Sequence, residues 1–242
     1  MEWFVRDFDH PLYFDIYQCK EAEAQEEGTA LATMLDLPRG SLVLDLPCGW
    51  GRLRPALEDR GFRVVGGDLS PLNLHRHQSE YPGALARLDL RALPFRSGVA
   101  DGIFCAFTSW GYFASEEENL RQLQEFHRIL RPGGVLLLDL VSRSYLEDGI
   151  SRMENTWFNA RGGYRERVRW SPDHRRVLTD RIHQGERFRH DIWIPEDQEV
   201  LDFLILAGFE VQAPRGDLEG HSLDRNSERR IYRATSRPTP RA

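Results

Sequence analysis

Residues 43–54, VLDLPCGWGRLR, decide how this chain folds. A short apolar run ends on Asp45, and a turn carrying Pro47, Gly49 and Gly51 follows at once. Glycine lets the backbone turn sharply and approach a ligand closely. The helix expected over 51–61 would start with free N–H groups aimed at whatever binds there. Such a loop serves a dinucleotide, a nucleotide phosphate or another adenosine-bearing ligand. The dinucleotide fingerprint G-x-G-x-x-G fails, because Arg54 stands at its third glycine. A P-loop fails as well, since no Gly-Lys-Ser/Thr follows.

Outward from this turn the sequence keeps a βα rhythm. Strands are predicted at SLVLDL (41–46), FRVVGGDLS (62–70), GALARLDL (83–90), VADGIFCAF (99–107) and GGVLLLDLV (133–141). Helices are predicted at 19–36, at 51–61, after the Ser70-Pro71 start signal, and at 115–130, where Leu120, Leu123, Phe126 and Leu130 keep helical spacing. Near-continuous apolar strands alternating with amphipathic helices indicate a parallel sheet covered on both faces. At about residue 142 the period changes. GYRERVRWS, RRVLTDRIHQ and ERFRHDIW read as three or four antiparallel strands joined by turns at RGG, SPDH and QGE. The α/β pattern resumes with a helix over 195–209 and strands near 209–213 and 229–237, and the tail RPTPRA is expected to fray. The chain thus divides into an N-terminal segment (1–40), an α/β core (41–141), an antiparallel insertion (142–194) and the rest of the core (195–242).

Composition bounds the function. The 242 residues carry a net charge of −6, which gives no overall reason to expect a nucleic acid partner. The cations are 31 arginines against one lysine, Lys20. They are uneven: 142–195 hold 11 Arg against 8 acids, a net of +3, which leaves −9 elsewhere. Cys19, Cys48 and Cys105 form no paired spacing, which argues against a disulfide framework or a zinc site and for the cytoplasm. The opening MEWFVRDFDHPLYF lacks the pattern of a signal peptide, and the apolar runs are too short for a membrane span. The expected molecule is a monomer or homodimer with no membrane partner.

Three aspartates add to the loop. Asp45, Asp68 and Asp89 end or nearly end the first three strands, and strand C-termini of a parallel sheet share the edge where ligands bind. An acid after the second strand is placed to accept hydrogen bonds from both hydroxyls of a ribose. One after the third can take the exocyclic amine of an adenine. With these residues in view, VLDLPCGWGR, VVGGDLS, ARLDLRALPF, ADGIFCAFTSWGYF and RILRPGGVLLLDLV together resemble the successive motifs of class I S-adenosylmethionine-dependent methyltransferases. The resemblance is close over 40–141 and looser at LDFLILAGFEV. It implies a Rossmann-like, seven-stranded, mostly parallel sheet with the last strand antiparallel. It departs at Pro47, which replaces the first glycine of D-x-G-x-G-x-G, so that position needs neither a positive φ nor a donor.

The resemblance further implies that Gly49, Gly51 and the backbone at Pro47 and Cys48 face the methionine part of the cofactor, with Asp45 on its amino group. Asp68 would bind the ribose, Leu69, Asp89 and Leu90 the adenine, and Phe107 and Thr108 would lie near the sulfonium. In similar enzymes an N-terminal segment closes over the cofactor, which suits Tyr13 on the acceptor side and Tyr17 on the cofactor side. Cys48 reads as a small buried thiol rather than a nucleophile. Trp110 joins the acceptor candidates, Tyr112 is the candidate proton acceptor, and Asp139 is its alternative. Arg165, Arg167 and Arg169 alternate with Val168 and Trp170. They suggest an acidic small-molecule acceptor held by Arg167 and Arg169, or else a solvated face balanced by Glu166, Asp180 and Asp191. His75 and His77, two apart on a helix, share no face and are expected at the surface, so no metal is assigned. The expected activity is methyl transfer to a small-molecule acceptor. A non-catalytic S-adenosylmethionine-binding protein and a nicotinamide-dependent dehydrogenase are the alternatives.

Overall fold

The computed structural model describes residues 2–153, 155–160 and 162–238. The Arg161 part of the RGG turn and the tail from residue 239 lie outside the described residues. The first core strand, β1 (Leu42–Asp45), pairs in parallel with a neighbour on each side, so its apolar run is enclosed by the sheet and by helices on both faces. Those neighbours are β2 (Arg63–Asp68) and β4 (Ala100–Cys105). The sheet extends through β3 (Ala84–Arg87) on one side and β5 (Leu130–Val141), β11 (Arg229–Ser236) and β10 (Phe209–Val211) on the other. The seven strands stand in the order β10-β11-β5-β4-β1-β2-β3, and β11 runs antiparallel to both its neighbours.

Alternation along β5 divides the core. Leu136 and Leu138 pack with Leu123 and Phe126 of α6 (Glu116–Ile129) and Leu204 of α8 (Asp197–Leu206). Val135 and Leu137 belong to the opposite layer, with Leu31 and Leu35 of α3 (Ala24–Leu35) and Leu57 of α4 (Arg54–Asp59). Local chemistry sets the helix starts. The Ser115 hydroxyl accepts from the Glu118 N–H at 3.2 Å, and Glu116, Glu117 and Glu118 fill the first turn of α6, where the helix dipole favours acids. Ser70 caps α5 (Pro71–Glu80) as its sequence implies, accepting from the Asn73 N–H at 3.1 Å.

Three expectations need revision. The helix predicted over 19–36 is a 3-10 turn, Gln18–Glu23, followed by α3. The N-terminal segment forms two short helices, α1 (Trp3–Asp7) and α2 (Pro11–Tyr17), which its scattered aromatics did not announce. The insertion opens on a helix, α7 (Arg143–Met153), whose Leu146 and Ile150, four apart, pack with Val168 and Trp170. The antiparallel strands then follow: β6 (Phe158–Asn159), β7 (Arg165–Trp170), β8 (Arg176–His183) and β9 (Glu186–Trp193), in that order across a separate sheet. The β8–β9 turn is a two-residue loop with Gln184 at φ 49° and Gly185 at φ 85°, the backbone that matches strand twist in a tight hairpin. Among the described residues no helix is long and apolar enough to cross a membrane.

Candidate active site

The C-terminal ends of β1, β2 and β4 open into a cavity of about 220 Å³. Its floor is the glycine turn. Gly49 and Gly51 adopt φ of 53° and 85°, and a side chain at Gly51 would lie 2.5 Å from the His77 ring. His77 is therefore no surface residue. It is buried beneath the turn, where burial lowers its basicity, while His75 is exposed. The expected helix starts later than predicted, since α4 begins at Arg54 and its N-cap Leu53 is the last residue of the turn to line the cavity. Pro47 follows a cis peptide bond and lines the cavity beside Cys48, whose thiol is pushed up by burial and by Asp68 and Asp45.

Asp68 organises this floor. One carboxylate oxygen accepts from the Gly49 N–H at 2.9 Å and the other from the Ser70 N–H at 2.8 Å. Burial raises its pKa, and these backbone donors oppose the rise. Asp45 contrasts with it. It is 3% exposed, and it makes no side-chain hydrogen bond or ion pair among the described residues. Burial pushes it up to about 8, against the pull of Arg52. A buried carboxylate at a cavity wall without a partner fits a cationic ligand group.

At the end of β4, Phe107 and Thr108 both take φ 57°, a left-handed conformation that costs each side chain energy and persists only when neighbours impose it. The Asp139 carboxylate accepts from the Phe107 N–H at 3.0 Å and from Arg229 at 2.9 Å. The Thr108 hydroxyl accepts from the Val141 N–H at 2.8 Å. Arg229 also pairs with Glu27, which pairs with Arg52 at 3.0 Å. The Arg52 and Arg229 guanidinium carbons lie 4.1 and 5.1 Å from the Phe107 ring centre. Asp139 is thus a positioning group and does not line the cavity, which removes it as the alternative proton acceptor.

The roof is aromatic. Phe8, Tyr13 and Tyr17 descend from the N-terminal helices, and His190 and Ile192 from β9. Their segment is clasped at two points. Asp7 accepts from the Arg189 N–H at 2.7 Å, and Asp9 accepts from the Ser70 hydroxyl at 2.8 Å and the Leu72 N–H at 3.1 Å. Tyr112 meets Trp3 and Phe8 at ring separations of 5.1 and 5.5 Å. Burial pushes its phenol above the usual range, so at neutral pH it carries its proton. His190 stacks on Tyr17 at 6.3 Å, and Arg181 Nη1 lies 3.0 Å from its Nδ1. Burial and the Arg181 charge hold this imidazole well below its usual pKa, hence neutral.

Of the residues singled out in the sequence, the cavity gathers Tyr13, Tyr17, Asp45, Pro47, Cys48, Gly49, Asp68, Phe107 and Tyr112. A smaller adjoining cavity, sharing Phe8, Pro47, Asp68 and Tyr112, adds Leu69, Asp89 and Leu90. Asp89 there is held by Arg91, at 2.7 Å. Gly51 supports the floor through its backbone, and Thr108 the wall through its hydroxyl. Trp110 does not reach the cavity. It is 1% exposed in the core, and its indole N–H donates to the Asn119 carbonyl at 2.9 Å. Arg167 and Arg169 lie on the far face of the inserted sheet, both paired with Asp180, and neither lines the cavity. Sequence reasoning missed His190, Arg52 and Ser109. The alternation Phe188, His190, Ile192 in β9 was the signal for the first, since residues two apart share a strand face. Asp217, Glu219 and His221 are the one metal-capable group among the described residues, and they lie outside both cavities.

A seven-stranded sheet in this order, with one reversed strand and acids after β1 and β2 flanking a glycine turn, defines the class I methyltransferase fold. Residues 44–138 match the family model described as a methyltransferase domain, and this stretch of the chain carries the class I methyltransferase fold. Demethylmenaquinone methyltransferase of Thermus thermophilus is 38% identical over 103 residues, covering 40% of this chain and 45% of that protein. The tRNA (carboxymethyluridine(34)-5-O)-methyltransferase alkbh8 of Xenopus tropicalis is 31% identical over 134 residues, 55% of this chain and 21% of that protein. The chain therefore spans less than half the length of these relatives. Among solved structures, an S-adenosylmethionine-dependent methyltransferase from Clostridium acetobutylicum superposes with a TM-score of 0.77 at 18% identity, covering 94% of this chain and 97% of that one.

Proposed function

We propose that the chain transfers a methyl group from S-adenosylmethionine to a small-molecule acceptor held under the aromatic roof. The observation that carries this reading is Asp45, a buried carboxylate without a partner among the described residues, at the wall that also holds Gly49 and Asp68. Asp45 would take the cofactor's amino group. Asp68 has lone pairs left for ribose hydroxyls after accepting two backbone N–H groups. Leu69 and Leu90 would border the adenine, and Phe107 the sulfonium. When bound, the cofactor supplies an electrophilic methyl group on a positively charged sulfur.

The chain's contribution is then positioning. Methyl transfer is an in-line displacement, so holding the acceptor's lone pair collinear and dry supplies much of the acceleration. Phe8, Tyr13 and Tyr17 exclude water, and aromatic faces favour the cationic centre. His190 and Tyr112 offer hydrogen bonds that orient the acceptor. The aromatic roof supports a small molecule over a macromolecule, although several relatives are named for tRNA. Incubation with S-adenosylmethionine and a metabolite panel, followed by mass detection of S-adenosylhomocysteine, tests this. Binding of S-adenosylhomocysteine without turnover on any acceptor would favour a non-catalytic binding protein. Binding of NAD(H) in its place would overturn the reading.

A further inference from the structure

We infer that the outer face of the inserted sheet is a second binding site, for a ligand carrying at least two phosphate groups. The strand register builds it. Arg165, Ile182 and Arg187 form one cross-strand row, and Arg167, Asp180 and Arg189 form the next. Four arginines thus mark the corners of a rectangle of about 7 by 10 Å, from two residues along a strand and two strands across. Arg6 of α1 and Trp157 close its sides, and the hollow between them measures about 490 Å³. Arg181 also borders it but turns its guanidinium to the other face, onto Glu166 and His190.

The charges do not balance. Asp180 is the one carboxylate lining the hollow, and Arg167 and Arg169 both hold it. Asp191 on the same face is held by Arg176. Among the described residues, the side chains of Arg165, Arg187 and Arg189 form no ion pair or hydrogen bond, and Arg165 only rests on Trp157, 5.4 Å from its ring centre. These three side chains are exposed, and like charges gathered on one face repel one another unless an anion joins them. In a protein of net charge −6 the excess is a local feature. The guanidinium fork matches phosphate oxygens two at a time, and a concave array of forks favours several such groups on one ligand. This site lies on the opposite face of the sheet from His190, so it stands whether or not the methyl-transfer reading holds.

The test is calorimetric titration of the full chain at low salt with pyrophosphate and, separately, with a short single-stranded RNA, citrate serving as the carboxylate control. Saturable binding of either phosphate probe is expected. Arg165→Gln/Arg187→Gln/Arg189→Gln should weaken it at least tenfold while S-adenosylhomocysteine binding is unchanged. Pyrophosphate binding alone identifies a small phosphorylated ligand. RNA binding whose salt slope drops by about two in the triple variant identifies a phosphodiester backbone. Should the triple variant melt early, Arg165→Gln/Arg187→Gln, which keeps Arg189 beside the Asp7 clasp, gives the same comparison. The inference is overturned if neither probe binds, if citrate binds as tightly, or if removing the arginines changes nothing.

Discussion

The floor and the roof of the main cavity are built from opposite chemistry. The floor uses carboxylates at strand ends, each either locked by backbone N–H groups, as Asp68 is, or left wanting a cation, as Asp45 is. The roof uses rings: Phe8, Tyr13, Tyr17 and a neutral His190. Charges inside a protein need exact partners, so the floor tolerates little change. Rings bury area without such demands, so the roof can be refitted to another acceptor while the floor keeps its cofactor.

That contrast fixes the order of expected effects. The largest belongs to the chain beneath Phe107. Arg229→Met leaves the buried Asp139 without its cation and Glu27 with Arg52 alone, and should cost about 3–5 kcal/mol of stability in chemical denaturation. A loss under 1 kcal/mol would mean that this network supports nothing. Next is Asp68→Ala. It frees two buried N–H groups and should remove most of the rise in melting temperature that S-adenosylhomocysteine produces by binding the native state. A full rise in that variant would refute the ribose assignment.

Asp45 comes third, through pH. Its folded-state pKa, about 8, lies above the unfolded value of 3.8, so in the ligand-free protein its contribution to stability is fully present below pH 4 and is lost as pH rises through about 8. Asp45→Asn should therefore outlast the wild type in melts above pH 8. In the wild type, ligand binding should release a proton near neutrality and tighten as pH rises, and Asp45→Asn should flatten that profile. Binding with the same pH dependence in both proteins would place the amino group elsewhere.

Roof changes should be milder for the cofactor. His190→Gln and Tyr112→Phe should leave S-adenosylhomocysteine affinity within about threefold while lowering acceptor turnover by roughly tenfold, the scale of one lost hydrogen bond. Equal losses in both measurements would erase the distinction between floor and roof. Smallest of all, Arg167→Glu with Arg169→Glu should leave the acceptor KM unchanged, because both face away from the cavity. A raised KM would restore them as acceptor contacts.

The floor was legible in the sequence because its residues are tied to strand ends, and strand ends follow from apolar runs. Gly49, Asp45 and Asp68 all lie within the motifs that set the sheet. Trp110 misled for the opposite reason. It sits in an aromatic cluster beside Tyr112, and only the packing against Trp193 and Phe203 shows that it turns into the core. The roof was harder still. Tyr13 and Tyr17 were accessible through resemblance, but His190 reaches the cavity from a strand that is 145 residues beyond Asp45 in the chain. Nothing in a linear pattern states that the inner face of β9 meets the ends of β1 and β2. Likewise the alternating arginines of β7 were visible, while the direction they face was not.

The cavity is about 220 Å³, below the roughly 300–1,000 Å³ typical of pockets that hold ligands of this size. Asp7 and Asp9 fasten the roof segment over this hollow and the smaller one beside it, so a cofactor that spans both must pass those clasps. Arrival of the cofactor is then not a simple collision. The observed association rate should level off as ligand concentration rises, at a ceiling set by how often those two clasps let go.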